Sequence, residues 1–361
     1  MNQRGSRWAG AGYRANASAA LAGDRAEEPS AVEAPEEPQD PPSPPPSPPP
    51  SVVDQWRVSA PPVDDDGRRE LPGRSRRMLR SLTCGVYKGL ESEDAWRYRR
   101  AEARALAPMP VDVGVGTVVV AQPKGGIGKS ATAVMIACAL GKFTRLSPVL
   151  WDCNENAGGR WQLITEDTLF PRTAQYLLTE PRHGTVLSQV EATAIDQDNQ
   201  AYQVIASPIP PRSFSDGEFR MIYSKLSQRF TQIIIDTGST VTSRNFENAI
   251  EHADVVVVPT DLATSTQAST LALLEVLEDQ WKDDWSRRVV AVVTNPAPDA
   301  DPEWEKFLSE KVAEVVRIPN DDHIAARGPI TWSGMNESTH ESCLYLAGAI
   351  TDIYRKNERG N

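Results

Sequence analysis

The segment from Thr117 to Lys142 constrains the fold of this chain most strongly, because it joins an apolar run, a glycine-rich turn and a helix start. The run from Val118 to Val120 is β-branched throughout, which is typical of a fully buried parallel strand. The sequence KGGIGKS then spans residues 124–130, ahead of an alanine-rich helical pattern. A strand, a glycine loop and a helix in this order predict a parallel α/β sheet whose loop binds an anion at the helix N-terminus.

Each residue type in this loop suits the phosphates of a nucleotide. Glycine lacks Cβ, so the backbone can adopt positive φ and direct successive N–H groups at the β- and γ-phosphates. Lys129 adds a positive charge there, and the Ser130 hydroxyl can bind Mg²⁺. The residues expected around the phosphates are Gly125, Gly126, Ile127, Gly128, Lys129, Ser130 and Ala131. The loop therefore predicts binding of a nucleoside triphosphate together with Mg²⁺.

Strand and helix patterns alternate beyond the loop, at the spacing of a doubly wound, mostly parallel α/β sheet with helices on both faces. Predicted strands cover 149–153, 202–207, 232–236, 253–259, 289–294 and 314–318, and predicted helices cover 131–141, 216–228, 265–281, 302–311 and 338–356. The strand from Gln232 ends in Asp236, which is the Walker B arrangement. We expect Asp236 to hold Mg²⁺ through water, opposite Ser130.

The first 67 residues are predicted to be a disordered head and tether. From Glu27 to Pro62 the sequence is dominated by proline, acidic residues and serine, so it buries too little apolar surface to offset chain entropy. Residues 1–23 have arginines but no continuous apolar run, and so do not resemble a secretory signal. The proline-rich arm is either a spacer or a ligand that docks a protein partner with an aromatic-lined groove.

Residues 68–110 form a short basic module between the tether and the P-loop domain predicted for 111–361. From Arg68 to Ala107 there are eleven basic and five acidic residues. A second helix of the module is predicted to begin after Ser92 as N-cap and to include Trp96 and Tyr98. Two interpretations stay open: the segment 68–80 contacts DNA phosphate or a membrane surface, or the module is a helical pair that lies on the P-loop domain.

Charge and cysteine usage limit the other partners. Residues 111–361 carry 22 basic and 33 acidic residues, so a uniform basic face for DNA is not expected, and a contact would be local, at 68–80 or at Arg355, Lys356 and Arg359. Four cysteines without metal-like spacing predict a reducing cytoplasm and no metal cluster. No apolar run approaches the ~18 residues that span a bilayer, so no integral membrane segment is expected.

The second lysine of the loop, Lys124, extends the motif to KGGxGK[ST], which resembles the deviant Walker A motif of the ParA/MinD family. This resemblance covers roughly Val111 to Lys356 and implies an ATPase with ATP and Mg²⁺ as cofactors. It further implies a homodimer formed on ATP binding, in which Lys124 reaches the partner's nucleotide. Asn295 occupies the place from which relatives contact adenine, and 318–326 resembles their late loop, where His323 is expected to be structural.

The first switch departs from the family pattern Asp-x-Asp. Asp152 keeps the first acid, but Asn154 occupies the second, from which relatives orient the attacking water. Asparagine can position a water but cannot accept its proton, so Asp152 or Glu155 would have to substitute. Slow hydrolysis is therefore expected, with Lys124, Asp152 and Asn154 as the catalytic candidates.

The order of proline-rich head, basic helical segment and P-loop domain also resembles the EspI-type ATPases of actinobacterial type VII secretion loci. Three functions are consistent with these features. The first is an ATP-dependent, dimerising switch that positions or partitions DNA cargo. The second is an ATPase that regulates a secretion machine through its proline-rich arm, and the third is a nucleotide-gated scaffold that hydrolyses ATP weakly.

Overall fold

The computed structural model describes residues 93–107, 114–144, 146–155, 172–181, 184–197 and 201–359. The predicted head and tether, the basic segment 68–80, the N-cap Ser92 and Cys84 lie outside these residues. Within them, the chain forms an eight-stranded sheet with helices on both faces.

The strands, numbered along the chain, are β1 Gly116–Val120, β2 Pro148–Cys153, β3 Ile195–Gln197, β4 Tyr202–Ile205, β5 Gln232–Thr237, β6 Val255–Thr260, β7 Val289–Thr294 and β8 Glu314–Ile318. Their order in the sheet is β3-β4-β2-β5-β1-β6-β7-β8. All neighbours pair in parallel except β3, which is antiparallel to β4. The predicted doubly wound, mostly parallel α/β fold is therefore confirmed.

The α-helices are α1 Glu93–Leu106, α2 Lys129–Phe143, α3 Val186–Glu191, α4 Asp216–Leu226, α5 Arg244–Glu251, α6 Thr264–Trp281, α7 Pro302–Lys311, α8 Asp322–Ala325 and α9 Glu337–Arg359. Short 3-10 helices cover Ala174–Leu178, Lys282–Arg287 and Trp332–Gly334. Local sequence explains several helix starts. Ser215 and Glu218 form a capping box at α4, and Asp301 caps α7 ahead of Pro302.

Alternation along the central strands divides the core into two halves, one on each face of the sheet. On β1, Val118 and Val120 belong to the half beneath α2 and α9, whereas Val119 belongs to the half covered by α4, α5 and α6. All three valines are fully buried. This burial on both faces explains why the central strands are continuous apolar runs.

Strand register brings the predicted site residues to one edge of the sheet. Val120, the last residue of β1, pairs with Asp236 on β5, and Asp152 on β2 pairs with the same Asp236. The glycine loop leaves the sheet directly after β1. The carboxyl ends of the three central strands therefore meet beneath that loop, as expected for a parallel sheet.

Helix α1, from the basic module, packs on the C-terminal helix α9. Ala101 and Ala105 are buried, and a Cβ at Gly348 would lie 3.2 Å from the Ala101 carbonyl oxygen. Arg104 forms ion pairs with Glu314 and Asp352. For residues 93–106 the structure thus shows a helix that lies on the P-loop domain, which was one of the two interpretations.

The C-terminal helix also engages one of the basic residues considered for DNA. Arg355 pairs with Asp352 and donates to the backbone carbonyls of Arg104 and Ala107. Its guanidinium therefore stabilises the junction between α1 and α9. Among the described residues, no helix is both long and apolar enough to cross a bilayer.

Two glycines in helices provide a test of how closely α2 packs against the residue that precedes β4. A Cβ on Gly141, in α2, would overlap the backbone carbonyl of Ala201, whereas a Cβ on Gly217, in α4, would meet nothing within 4 Å. Gly141→Ala should therefore lower the free energy of unfolding by about 1–3 kcal/mol despite the better helix propensity of alanine.

The matched substitution Gly217→Ala should raise the free energy of unfolding by roughly 0.5–1 kcal/mol, because only the propensity gain applies there. Urea denaturation of both variants measures the difference. Changes of the same sign in the free energy of unfolding of the two variants would contradict the close approach of Gly141 to Ala201.

Candidate functional site

The glycine loop takes the conformation that phosphate binding requires. Gly126 and Gly128 have φ values of 75° and 89°, in the left-handed region that glycine enters without strain. Gly128 directly precedes α2, and no side chain caps that helix. The free N–H groups and the positive end of the dipole of α2 are therefore directed at the loop.

Lys129, the first residue of α2, is directed into the site. It is 8% exposed, and its Nζ donates to the Lys124 carbonyl at 3.1 Å and to the Ser239 hydroxyl at 2.9 Å. Burial lowers the pKa of Lys129, while the charges of Asp236 and Glu155 act in the opposite direction. The ammonium thus links the loop to the turn after β5. The role of Ser239 was missed, because a serine beyond a strand end has no distinctive sequence signal.

Asp236 is the most deeply buried acid of the site. Its Oδ2 accepts a hydrogen bond of 2.6 Å from the Ser130 hydroxyl, and its Oδ1 is buried without a partner among the described residues. Burial, and then the charge of Asp152, raise the pKa of Asp236 to about 7. A buried carboxylate oxygen without a partner is costly, so it needs a ligand that the chain itself does not supply.

These two side chains fit a magnesium ion. Mg²⁺ prefers oxygen ligands and is usually held by one or two protein groups, waters and substrate phosphates. Ser130 Oγ and the unpartnered Asp236 Oδ1 are oxygen atoms that can ligate a cation beside the N-terminus of α2. No group of three or more histidine, cysteine or acidic side chains suited to a metal occurs in the part of the chain that the structure describes. A site completed by nucleotide phosphates does not need one.

Asp152 is held by its own surroundings. Its Oδ2 accepts from the Ser207 hydroxyl at 2.8 Å, and its Oδ1 accepts from the backbone N–H of Asn154 at 3.2 Å. Nearby, the Asn245 amide donates to the Cys153 carbonyl and accepts from the Phe214 N–H. Asn245 lies on α5, which the sequence did not predict. The first switch is thus hydrogen-bonded to two neighbouring segments, at Ser207 and at Asn245.

Glu155, the last described residue of the first switch, faces the turn after β5. A Cβ at Gly238 would lie 2.8 Å from Glu155 Oε2, so the carboxylate and the Gly238 backbone are in contact. Both carboxylate oxygens are buried and have no hydrogen-bond partner among the described residues. The structure therefore brings the first switch and the turn after β5 together at this contact.

The side chain of Lys124 contacts residues of the same chain at the start of α6. Its Nζ donates to Thr266 Oγ1 at 2.6 Å and Ser265 Oγ at 2.8 Å, and it lies 3.4 Å from Asp261 Oδ2. Partial burial raises the pKa of Asp261, but hydrogen bonds from Thr266 and the Ala263 N–H, with the charge of Lys124, lower it overall. Asp261 was missed, although it follows the apolar run of β6 as Asp236 follows that of β5.

The remaining predicted site residues lie at the same edge. Ala131 is buried in the first turn of α2. A Cβ at Gly128 would lie 3.8 Å from Thr294 Oγ1, which places the end of β7 beside the loop. Asn295 follows with φ 46° and is exposed. In the late loop, His323 Nε2 accepts from the Thr331 N–H at 3.0 Å, an internal contact.

The buried carboxyl of Asp236 makes stability depend on pH. Between about pH 4 and pH 7 the folded protein keeps this proton while the unfolded chain has lost it, so raising the pH across that window destabilises the nucleotide-free protein. Asp236→Asn removes the effect. The stability of the variant relative to wild type should rise by roughly 2–3 kcal/mol between pH 5 and pH 8, measured by urea denaturation. An equal difference at both pH values would contradict the burial of an ionisable group here.

Comparison with known proteins supports the assignment of the domain. Residues 116–265 match the family model of the ATPase MipZ, a segment that contains the glycine loop, Asp236 and Asp261. No curated protein matches the chain.

Several solved structures are similar in fold. A ParA family ATPase from Chlorobium tepidum TLS superposes with a TM-score of 0.51 at 17% identity, covering 64% of this chain and 98% of its own. The MinD of a MinC:MinD complex from Aquifex aeolicus and an ATP complex of a McdA variant from Cyanothece give 0.44 and 0.43, each at 16% identity. They cover 68% and 65% of this chain and 96% of each relative.

The fold is supported by the first of these structures, at a TM-score of 0.51. Residues 116–265, which begin with the strand before the deviant Walker A loop, are similar to the ATPases of the ParA/MinD family.

Proposed function

We propose that this protein is an ATP-dependent switch ATPase that binds ATP with Mg²⁺, dimerises on binding and hydrolyses the nucleotide slowly. The observation that carries the proposal is the convergence at one sheet edge of the left-handed glycine loop, the buried Lys129 and the Ser130–Asp236 pair. Phosphoryl transfer is catalysed mainly by positioning and by charge stabilisation, which are the properties that these groups supply.

Each group has a distinct part in this proposal. The loop amides and Lys129 hold the β- and γ-phosphates, while Asn295 and the late loop contact adenine. Ser130 would hold Mg²⁺ through its hydroxyl, and Asp236 would hold it through water. When bound, the ion neutralises phosphate charge. Lys129 must exchange its contacts with Lys124 O and Ser239 Oγ for phosphate oxygens, and it can do so because both partners are neutral.

Hydrolysis is tested with Lys129→Ala in the full-length protein. The variant should lose turnover by about 100-fold or more, because the charge at the transferred phosphate is removed from a water-poor site. Phosphate release with ATP and Mg²⁺ measures the effect, and Lys306→Ala, at an exposed position of α7, is the matched control. A wild-type rate no higher than that of Lys129→Ala would leave only a nucleotide-gated scaffold.

The dimer proposal concerns Lys124. Its side chain is partly exposed and is held by Asp261, Ser265 and Thr266 of the same subunit. Exposed ion pairs contribute little, so the charged contact with Asp261 at 3.4 Å is a weak restraint. On ATP binding, Lys124 would leave these partners and contact the phosphates of the facing subunit, where the charge interaction is stronger.

Sedimentation with a non-hydrolysable ATP analogue tests this step. Wild-type protein should dimerise, whereas Lys124→Ala should bind the analogue and stay monomeric because the contact between subunits is missing. Lys306→Ala again serves as the control and should dimerise. Wild-type protein that stays monomeric with the analogue bound would refute the role given to Lys124.

For the biological output we propose positioning or partition of DNA cargo in the cytoplasm, because residues 116–265 are similar to ATPases of the ParA/MinD family. Arg355 is engaged within the chain, so a DNA contact would be made through the segment 68–80. Truncating this segment should remove DNA binding, and added salt should weaken it. Binding indifferent to both would refute the contact.

The alternative output is regulation of a type VII secretion system of the EspI kind, through a protein partner of the proline-rich arm. This alternative rests on the sequence order of residues 1–110. Neighbouring genes separate the two outputs: a small DNA-binding partner favours partition, and secretion genes favour regulation.

A further inference from the structure

The carboxylate of Glu155 is an unexplained charge at this site. Both of its oxygens are buried and lack a hydrogen-bond partner among the described residues. Removing an ionised carboxylate from water without a partner is unfavourable. The arrangement therefore offers an acceptor to a group that is not part of the chain.

The position of the carboxylate indicates what that partner is. It contacts Gly238, two residues beyond Asp236, at the turn that follows β5. Its charge also acts on Lys129, where it partly offsets the lowering of the pKa of that ammonium by burial. Glu155 therefore lies near Lys129 and the turn after β5, where the terminal phosphates are proposed to bind.

Other acids of the site are already occupied. Asp152 accepts from Ser207 and from the Asn154 N–H, and Asp236 accepts from Ser130. Asn154 has no carboxylate at the position from which relatives orient water. Of the acids in the first switch, Glu155 is the one whose oxygens are both available for a water molecule.

We propose that Glu155 orients the attacking water and accepts its proton during ATP hydrolysis. This inference rests on the ATPase function proposed above. As the water oxygen bonds to the γ-phosphorus, the bond from that phosphorus to the β–γ bridging oxygen breaks, and ADP leaves with the electron pair. The water proton passes to the Glu155 carboxylate, and the products are ADP and inorganic phosphate.

The test compares three variants of the full-length protein with Mg²⁺ and ATP. Glu155→Gln keeps the size and hydrogen-bonding shape of the side chain but cannot take the proton, so kcat should fall by about 100-fold. Its affinity for a non-hydrolysable ATP analogue should stay within about threefold of that of wild type. Glu180→Gln, the same substitution at an exposed position, should match wild type in both measurements.

Asn154→Ala separates the two neighbouring residues of the switch. It should lower kcat far less than Glu155→Gln does, because the amide can orient the water but cannot take its proton. A second readout is the lifetime of the assembled form: with hydrolysable ATP, Glu155→Gln should stay dimeric in sedimentation after wild type has returned to monomer.

The outcomes are distinguishable. Turnover of Glu155→Gln equal to wild type would overturn the proposal and leave the ATPase function intact. A tenfold gain in analogue affinity with unchanged kcat would also overturn it, because Glu155 would then be a carboxylate that nucleotide phosphate displaces. Wild-type turnover no higher than that of Lys129→Ala would refute hydrolysis and the role of Glu155 together.

Discussion

The burial of Asp236 at the end of the central strand is the constraint on which the site depends. A carboxyl group in the middle of a parallel sheet is costly, and here one oxygen is satisfied by Ser130 while the other has no partner among the described residues. Its pKa is raised because burial and Asp152 both disfavour the charged form. A cation bound there, as proposed above, would relieve this cost. The chain thus retains an unfavourable group where ligand binding can compensate for it, which is a recurrent property of functional sites.

The same principle explains how the lysines of the loop are arranged. Lys129 is buried but hydrogen-bonded to two neutral oxygens, and Lys124 is partly exposed beside Asp261. Phosphate binding would replace a neutral partner in the first case and an ion pair in the second. The two lysines therefore differ in the contacts that phosphate binding would break. This difference fits the proposal that Lys129 holds the nucleotide of its own subunit and that Lys124 acts only on assembly.

Hydrogen bonds and contacts join the first switch to neighbouring segments of the fold. Asn245 fastens the end of β2 to α5 and to the segment before α4, while Glu155 contacts the turn after β5. Helices α1 and α9 are joined through Arg104 and Arg355, which holds the helix Glu93–Leu106 against α9.

Much of this fold could be predicted from sequence because its determinants are local or periodic. Seven of the eight strands were predicted by apolar runs or were implied by the loop motif, and β7, β8 and α7 have the predicted bounds. The short β3, α3 and α5 were not predicted. Their sequences are polar and brief, so their placement depends on packing against neighbours rather than on propensity.

The chain by itself determined the loop, the ParA/MinD resemblance, the position of Asp236 near the end of β5 and the departure at Asn154, since each is a contiguous pattern. Only tertiary structure decided which distant side chains meet there: Ser239 with Lys129, Asp261 with Lys124, Ser207 with Asp152 and Gly238 with Glu155. The physical reason is that strand order, β2-β5-β1-β6, differs from chain order. Residues up to 142 positions apart become neighbours across a sheet edge that no local pattern encodes.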